Sequence, residues 1–222
     1  MLYSRVRNQE DTIDKLRYEL HELVVKEVKQ ITKQEIDLYD ADKTNKADYA
    51  LEPSGGMIVS TKCSKTYLEG NIEYSINGVL PVYWTSISPR IVIQQTKVTP
   101  GECWAFKGAE GKLVIKLSRR IVPTSFTYEH TRKQLSPDLN IDSAPRHFMV
   151  KSLKDENDDV GLLLGEYEFN EDLGPLQQFD VQNPHPIPTE FIELHILSNH
   201  GEMKFTCLYR FRVHGNKIDL NQ

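Results

Sequence analysis

Residues 1–46 contain neither glycine nor proline, although the chain of 222 residues holds 12 glycines and 11 prolines. So long a stretch without either breaker, rich in Glu, Lys, Arg and Leu, predicts continuous helix. From Asp48 onward the grammar reverses. Gly and Pro now punctuate short runs rich in β-branched and aromatic residues, which predicts strands joined by turns. The chain is therefore expected to divide into a helical segment, 1–46, and a β domain, 47–222.

Within the helical segment, Ile13, Leu16, Leu20 and Leu23 recur at three- and four-residue steps. Val24, Val28 and Ile31 continue the stripe with its phase shifted by one, the mark of a stutter in a heptad pattern. Two readings stand side by side: an amphipathic helix packed on its own domain, and the end of a coiled coil. The segment is short for an independent coiled coil, so it is expected to lean on something else.

The β runs are Ile91–Ile93, Cys103–Phe106, Lys112–Leu117 bounded by Gly111 and Ser118, Ser125–Tyr128 after Pro123, His147–Val150, Leu162–Leu164, Phe191–Leu197 and Thr206–Val213. Phe191, Glu193, His195 and Leu197 share one face of their run, and Ile192, Leu194 and Ile196 the other. Strands at this spacing with no helical pattern between them predict an all-β sandwich. Two stretches interrupt the rhythm. Tyr67–Ser88 holds Asn77-Gly78, a strong hairpin signal because both residues tolerate positive φ. That hairpin carries Tyr74, Ile76, Val79, Tyr83 and Trp84, and is either tucked on the core or a lid over a groove. Asn170–Pro188, with four prolines, reads as a loop or an edge.

No catalytic signature survives inspection. There is no Walker loop, no G-x-S-x-G and no H-E-x-x-H. His195 and His200 read as packed or surface residues, the acidic stretch Lys154–Gly161 as a solvated loop, and the chain as a non-enzyme. With 39% hydrophobic and 27% charged residues the composition is globular, and a net charge of −5 argues against a nucleic-acid partner. No run of 18 apolar residues occurs and the N-terminus has no apolar h-region, so neither a bilayer span nor a signal peptide is expected; a membrane protein cut away from its anchor reads the same way. The absence of an N-x-[ST] sequon points mildly away from a lumen. Three cysteines, Cys63, Cys103 and Cys207, are too few for a disulfide scaffold and odd in number.

Several blocks resemble the SUN domain family: Asp48–Glu52 with Gly55-Gly56, Thr61–Tyr67, Pro100–Gly108, Glu129-His130, Leu135–Pro137, Ser143–Pro145 and above all Cys207–Gly215. They follow the family's order over three-quarters of the chain. The resemblance implies a jelly-roll-like β-sandwich that trimerises, preceded by helices that assist or restrain the trimer. It implies the C-terminal domain of an inner nuclear membrane protein, standing in the perinuclear space. The partner would be the lumenal C-terminal peptide of a KASH protein, and the assembly the LINC complex that links nucleus and cytoskeleton. Lamina and nucleoplasmic partners would be reached only through regions outside this chain.

By position, the resemblance implies a pocket for the peptide's terminal residue at His130, Ser143, Phe205 and Tyr209. The family usually has Tyr where Phe205 stands. The hairpin of Tyr74, Ile76, Asn77, Gly78, Val79, Tyr83 and Trp84 corresponds to the KASH lid, at about 67–88. Cys103 and Cys207 correspond to an intradomain disulfide, and Cys63 to the cysteine that pairs with a KASH cysteine. The loop from Ile93 through Gln94 to Glu102 corresponds to one that wraps a monovalent cation, K+ or Na+, with Lys97 opposing that role here; no other cofactor is implied. The competing class is a carbohydrate-binding β-sandwich of the lumen, stacking sugars on Trp84, Trp104 and Tyr83.

Overall fold

The computed structural model describes residues 2–40, 43–62, 64–67, 72–76, 80–84, 87–94, 97–136 and 139–217; the side chains of 2–12, 14, 37–40, 72–76 and 80–84 fall outside that description. The chain divides into two compact units, Met1–Lys46 and Ala47–Gln222. The first is one helix, α1, Leu2–Asp40. Its 39 residues span about 58 Å at 1.5 Å per residue. Ile13, Leu16, Leu20, Leu23, Val24, Val28 and Ile31 are all exposed on it. No helix among the described residues is long and apolar enough to cross a membrane.

The second unit is built from β1 Met57–Ser60, β2 Ile72–Ile76, β3 Leu80–Trp84, β4 Trp104–Lys107, β5 Gly111–Glu129, β6 His147–Leu153, β7 Leu162–Glu168, β8 Leu176–Asp180, β9 Thr189–Ile196, β10 Phe205–Leu208 and β11 Arg210–Lys217. The pairings among these strands are antiparallel. β5, with 19 residues, organises the unit. Its first half lies between β1 and β9, continuing the order β1-β5-β9-β6-β7, and its second half lies between β11 and β8. One strand thus serves both layers of the sandwich, as a corner strand does where it bends out of one sheet into the other.

The inward residues of both layers form one core. Leu113, Ile115, Phe148, Val150, Ile192, Leu194 and Ile196 come from one layer, and Phe126, Tyr128, Phe211 and Val213 from the other. Phe126 stacks on Phe211 with ring centroids 5.8 Å apart, and Phe148 meets Phe179 edge-on at 5.2 Å. Offset and edge contacts of this kind suit the aromatic quadrupoles better than a face-to-face sandwich.

Several local expectations are corrected. Ile91–Ile93 is not a strand: Pro89–Ile93 is a 3₁₀ turn, started by the Ser88 hydroxyl accepting the Arg90 N–H, with Val92 and Ile93 buried. Lys112–Leu117 and Ser125–Tyr128 are one strand, because Pro123 falls opposite Gly215 at a bulge, where its missing N–H costs no ladder bond. Thr206–Val213 is two strands, β10 pairing β4 and β11 pairing β5, with Tyr209 at the break. The hairpin register pairs Ile76 with Leu80, and the Asn77-Gly78 turn between them lies outside the described residues. Asn170–Pro188, expected as a loop or an edge, does hold the edge strand β8.

Candidate functional site

The break at Tyr209 brings together residues distant in sequence. Cys207 and Cys103 are bridged, with Cα atoms 5.6 Å apart across 104 residues of chain. A bridge closing so long a loop contributes roughly 2–4 kcal/mol. It also ties the start of β4 to β10, so Gly101 and Tyr209, two residues from either cysteine, are held side by side. The Gly101 N–H donates to the Tyr209 hydroxyl at 3.0 Å. Gly101 stands at φ 85°, the left-handed region that glycine enters without strain. Cys103, Cys207 and Tyr209 form a small buried cluster of their own, with Val98, Ala105 and Phe205 packed against it.

Of the four pocket residues expected from the family, His130 and Tyr209 are in direct contact, ring centroids 4.6 Å apart and edge-on. Ser143 joins them through its carbonyl, which accepts the Cys207 N–H at 2.8 Å. Phe205 lies two residues before Cys207 and stacks on Tyr67 at 4.8 Å. It brings no hydroxyl to this corner.

His130 is only 2% exposed. Its Nδ1 lies 3.1 Å from the Thr131 carbonyl oxygen, which can only accept, so Nδ1 carries the proton and Nε2 presents a lone pair. Among the described residues, Nε2 and the Thr131 hydroxyl are buried without a hydrogen-bond partner. The Tyr128 hydroxyl is buried as well, against the Tyr209 backbone. Buried polar atoms are normally satisfied, so these groups on His130 and Thr131 single out the corner as a candidate polar site. Burial holds the His130 pKa down at about 4, against a smaller opposing pull from the Thr131 carbonyl. Tyr209 is pushed upward by burial, opposed by the Gly101 N–H, and stays a neutral phenol. Its oxygen already accepts from Gly101, so its own proton is available to a ligand oxygen. The arrangement can therefore offer a hydroxyl donor and, once protonated, an imidazolium donor to one anionic group.

The other expected residues are placed as follows. Asn77, Gly78 and Val79 lie outside the described residues, as does Cys63. Tyr74 and Ile76 fall on β2, Tyr83 and Trp84 on β3. In the loop after the 3₁₀ turn, the Gln94 amide donates to Glu52 at 2.7 Å, Ile93 is buried, and the Glu102 N–H donates to the Thr99 carbonyl at 3.0 Å. Among the described residues no group of three or more His, Cys, Asp or Glu is arranged to hold a metal ion. Trp104 is fully buried and its Nε1–H donates to the Thr66 hydroxyl, so it offers no face to a sugar. His195 pairs with Glu110 at 2.9 Å and His200 with the Phe169 carbonyl at 3.0 Å, as packed residues do. Sequence reasoning missed Tyr128, Thr131 and Gly101; only the alternation through Ser125–Tyr128 hinted that Tyr128 faces inward.

Comparison with known proteins agrees on one family. Residues 83–217 match the family model described as Sad1/UNC-like C-terminal. Klaroid protein of Drosophila melanogaster is 47% identical over 190 residues, 85% of this chain and 20% of its own length. Human SUN domain-containing protein 1 is 45% identical over 193 residues, 86% of this chain and 24% of its own. Nuclear migration and anchoring protein unc-84 of Caenorhabditis elegans is 42% identical over 193 residues, 86% of this chain and 17% of its own. The chain thus spans less than a quarter of the length of these relatives. Among solved structures, the family 32 carbohydrate-binding module of Streptococcus pneumoniae EndoD superposes with a TM-score of 0.54 at 13% identity, over 76% of this chain and 99% of that one. The C-terminal domain of a Bacteroides fragilis chitobiase gives 0.51 at 12% identity, over 78% and 99%. At such identities the likeness is one of fold alone: both share the β-sandwich.

Proposed function

The chain belongs to the SUN family, matching its Sad1/UNC-like C-terminal domain, and from that membership we propose that it is a non-enzymatic tether of the nuclear envelope that captures the free C-terminal carboxylate of a KASH peptide. In this reading it is part of an inner nuclear membrane protein, with the β unit in the perinuclear space and the complex serving as the LINC connection between nucleus and cytoskeleton. A relative named for nuclear migration and anchoring supports the role. The observation that carries the reading is the corner around Tyr209, where, among the described residues, the His130 Nε2 and the Thr131 hydroxyl are buried without partners near a phenol whose oxygen accepts from Gly101.

The chemistry follows from the side chains. An extended peptide gains affinity by pairing along a strand edge, here that of the 72–84 hairpin, while its terminus enters a polar pocket. The Tyr209 O–H and the Ser143 hydroxyl donate to the carboxylate. The neutral His130 turns a lone pair toward the same place, which repels an anion, so capture is coupled to uptake of a proton at Nε2. Phe205 receives the apolar part of the last residue, which favours a side chain such as leucine there.

Three further parts belong to this reading. Self-assembly is as a homotrimer, supported by the exposed heptad-like stripe on α1. Cys63 forms the covalent link to a KASH cysteine, since the other two cysteines are joined to each other. A monovalent cation sits against backbone carbonyls of the loop 93–102, supported by the fold-back of that loop at Gly101 and opposed by the charge of Lys97.

The direct test uses a synthetic peptide ending in Pro-Pro-Pro-Leu with a free carboxylate, and the same peptide extended by one residue. The first binds and the second does not. Equal binding of both sinks the carboxylate pocket.

A further inference from the structure

The β unit opens with Ala47–Ala50, and these residues are fastened to strand β11 rather than left as a linker. The Tyr49 N–H donates to the Val213 carbonyl at 2.9 Å. Asp48 Oδ1 accepts the N–H groups of Val213 at 3.1 Å and Ala50 at 2.9 Å. Asp48 Oδ2 accepts from Arg210 Nη2 at 2.5 Å, and Arg210 Nη1 reaches the Val92 carbonyl at 3.4 Å. The Ala47 carbonyl lies 2.8 Å from His214 Nδ1. The Asp48 and Arg210 side chains are 5% and 3% exposed.

Arg210 is the residue after Tyr209. Because β10 ends at Leu208 and β11 begins at Arg210, Tyr209 stands between two sheets. Its placement depends on its neighbours: the Cys103–Cys207 bridge on one side and the Arg210 anchor on the other. A buried ion pair is a weak source of stability compared with apolar packing, but its geometry is directional, and it holds a strand end in one place. We propose that Asp48 is a positioning residue for the carboxylate pocket: by holding Arg210 it fixes the start of β11, and with it the Tyr209 hydroxyl. The state of the segment at the head of the sandwich is thereby felt at the ligand site one residue away. This rests on the reading of the Tyr209 corner as a carboxylate pocket.

The experiment measures binding of the Pro-Pro-Pro-Leu peptide, as free acid and as C-terminal amide, to the 222-residue chain by calorimetry. The wild-type chain prefers the acid. Asp48→Asn, which keeps the size of the side chain and removes its charge, weakens the acid about tenfold, the loss of one charge-assisted hydrogen bond. It leaves the amide unchanged, whereas a general loosening of the fold weakens both alike. In a Tyr209→Phe background, Asp48→Asn has no further effect on the acid. If Asp48→Asn does not fold, Arg210→Lys carries the same comparison, since it keeps the charge and loses the planar fork. The inference is overturned if the wild type prefers the acid and the folded variant keeps the same preference, or if acid and amide weaken equally. A wild type that binds acid and amide alike removes the pocket reading itself, a different result from either.

Discussion

The helical and β units carry the same kinds of apolar residue and treat them in opposite ways. Leu16, Leu20 and Leu23 on α1 are 58%, 63% and 60% exposed, whereas Leu113, Leu194 and Leu208 in the sandwich are 1% exposed each. A leucine stabilises a fold by about 1.5–3 kcal/mol only when it leaves water. The β unit therefore closes its own core, and the α1 stripe is a surface. The contrast teaches where each unit's sensitivity lies: the sandwich to changes within itself, the helix to what it meets.

The largest expected effect tests this directly. Trp104 is fully buried, 5.2 Å from the Phe106 ring, with its N–H satisfied by Thr66. Trp104→Ala removes that packing and leaves the Thr66 hydroxyl short of a partner, at a cost of about 3–5 kcal/mol. Leu20→Ala, at a site exposed in the single chain, shifts unfolding of the β unit by no more than about 0.5 kcal/mol. Urea unfolding of the two variants measures the difference. A Leu20→Ala cost equal to that of Trp104→Ala breaks the comparison, because α1 would then be packed like core.

The next effect separates the site from the rest of the sandwich. His130 is held near pKa 4 against 6.5 in the unfolded chain. Its neutral form is the one that burial tolerates, so its contribution is fully present above pH 6.5 and is lost as pH falls toward 4, where both states are protonated. At 1.36 kcal/mol per pH unit the loss amounts to roughly 3 kcal/mol. Most of it falls above the range in which carboxylates titrate, so the interval from about pH 6.5 to 4.5 reports the histidine. His130→Gln flattens the stability profile there. An unchanged slope in the variant shows that another group sets it. On the proposed pocket, saturating free-acid peptide also reduces the slope in the wild type, because a bound carboxylate would favour the protonated ring.

The boundary at residues 46 and 47 was legible because the two helix breakers are so unevenly distributed, and Phe191–Leu197 was legible because it alternates. What could not be read locally was continuity. Ser118 and Pro123 look like strand ends, yet β5 runs through them, since Pro123 meets a bulge. Thr206–Val213 looks like one strand, yet it changes sheets at Tyr209. The site was less legible still. His130, Ser143, Phe205 and Tyr209 carry no motif by type or spacing and came into view only through the family resemblance. Asp48 and Arg210, 162 residues apart, have no local signal at all, because an ion pair formed across a whole domain is a property of topology.

The smallest effect on the stability of a single chain belongs to the stripe on α1, and it is also the one that shows what the stripe is for. Leu16, Leu20 and Leu23 changed together to Ser remove three exposed side chains, so unfolding of the sandwich shifts by no more than about 0.5 kcal/mol for each. The proposed self-association uses the same residues as a seam between helices, because apolar knobs at three- and four-residue steps gain only by entering holes on another helix. If the proposed trimer forms through this stripe, the triple variant sediments as a monomer where the parent chain sediments as a trimer. The two readouts have to move apart: association lost, melting of the β unit kept. If instead the melting transition falls and the mass stays the same, the stripe is packing within its own chain, and the contrast between a self-sufficient sandwich and an unfinished helix fails.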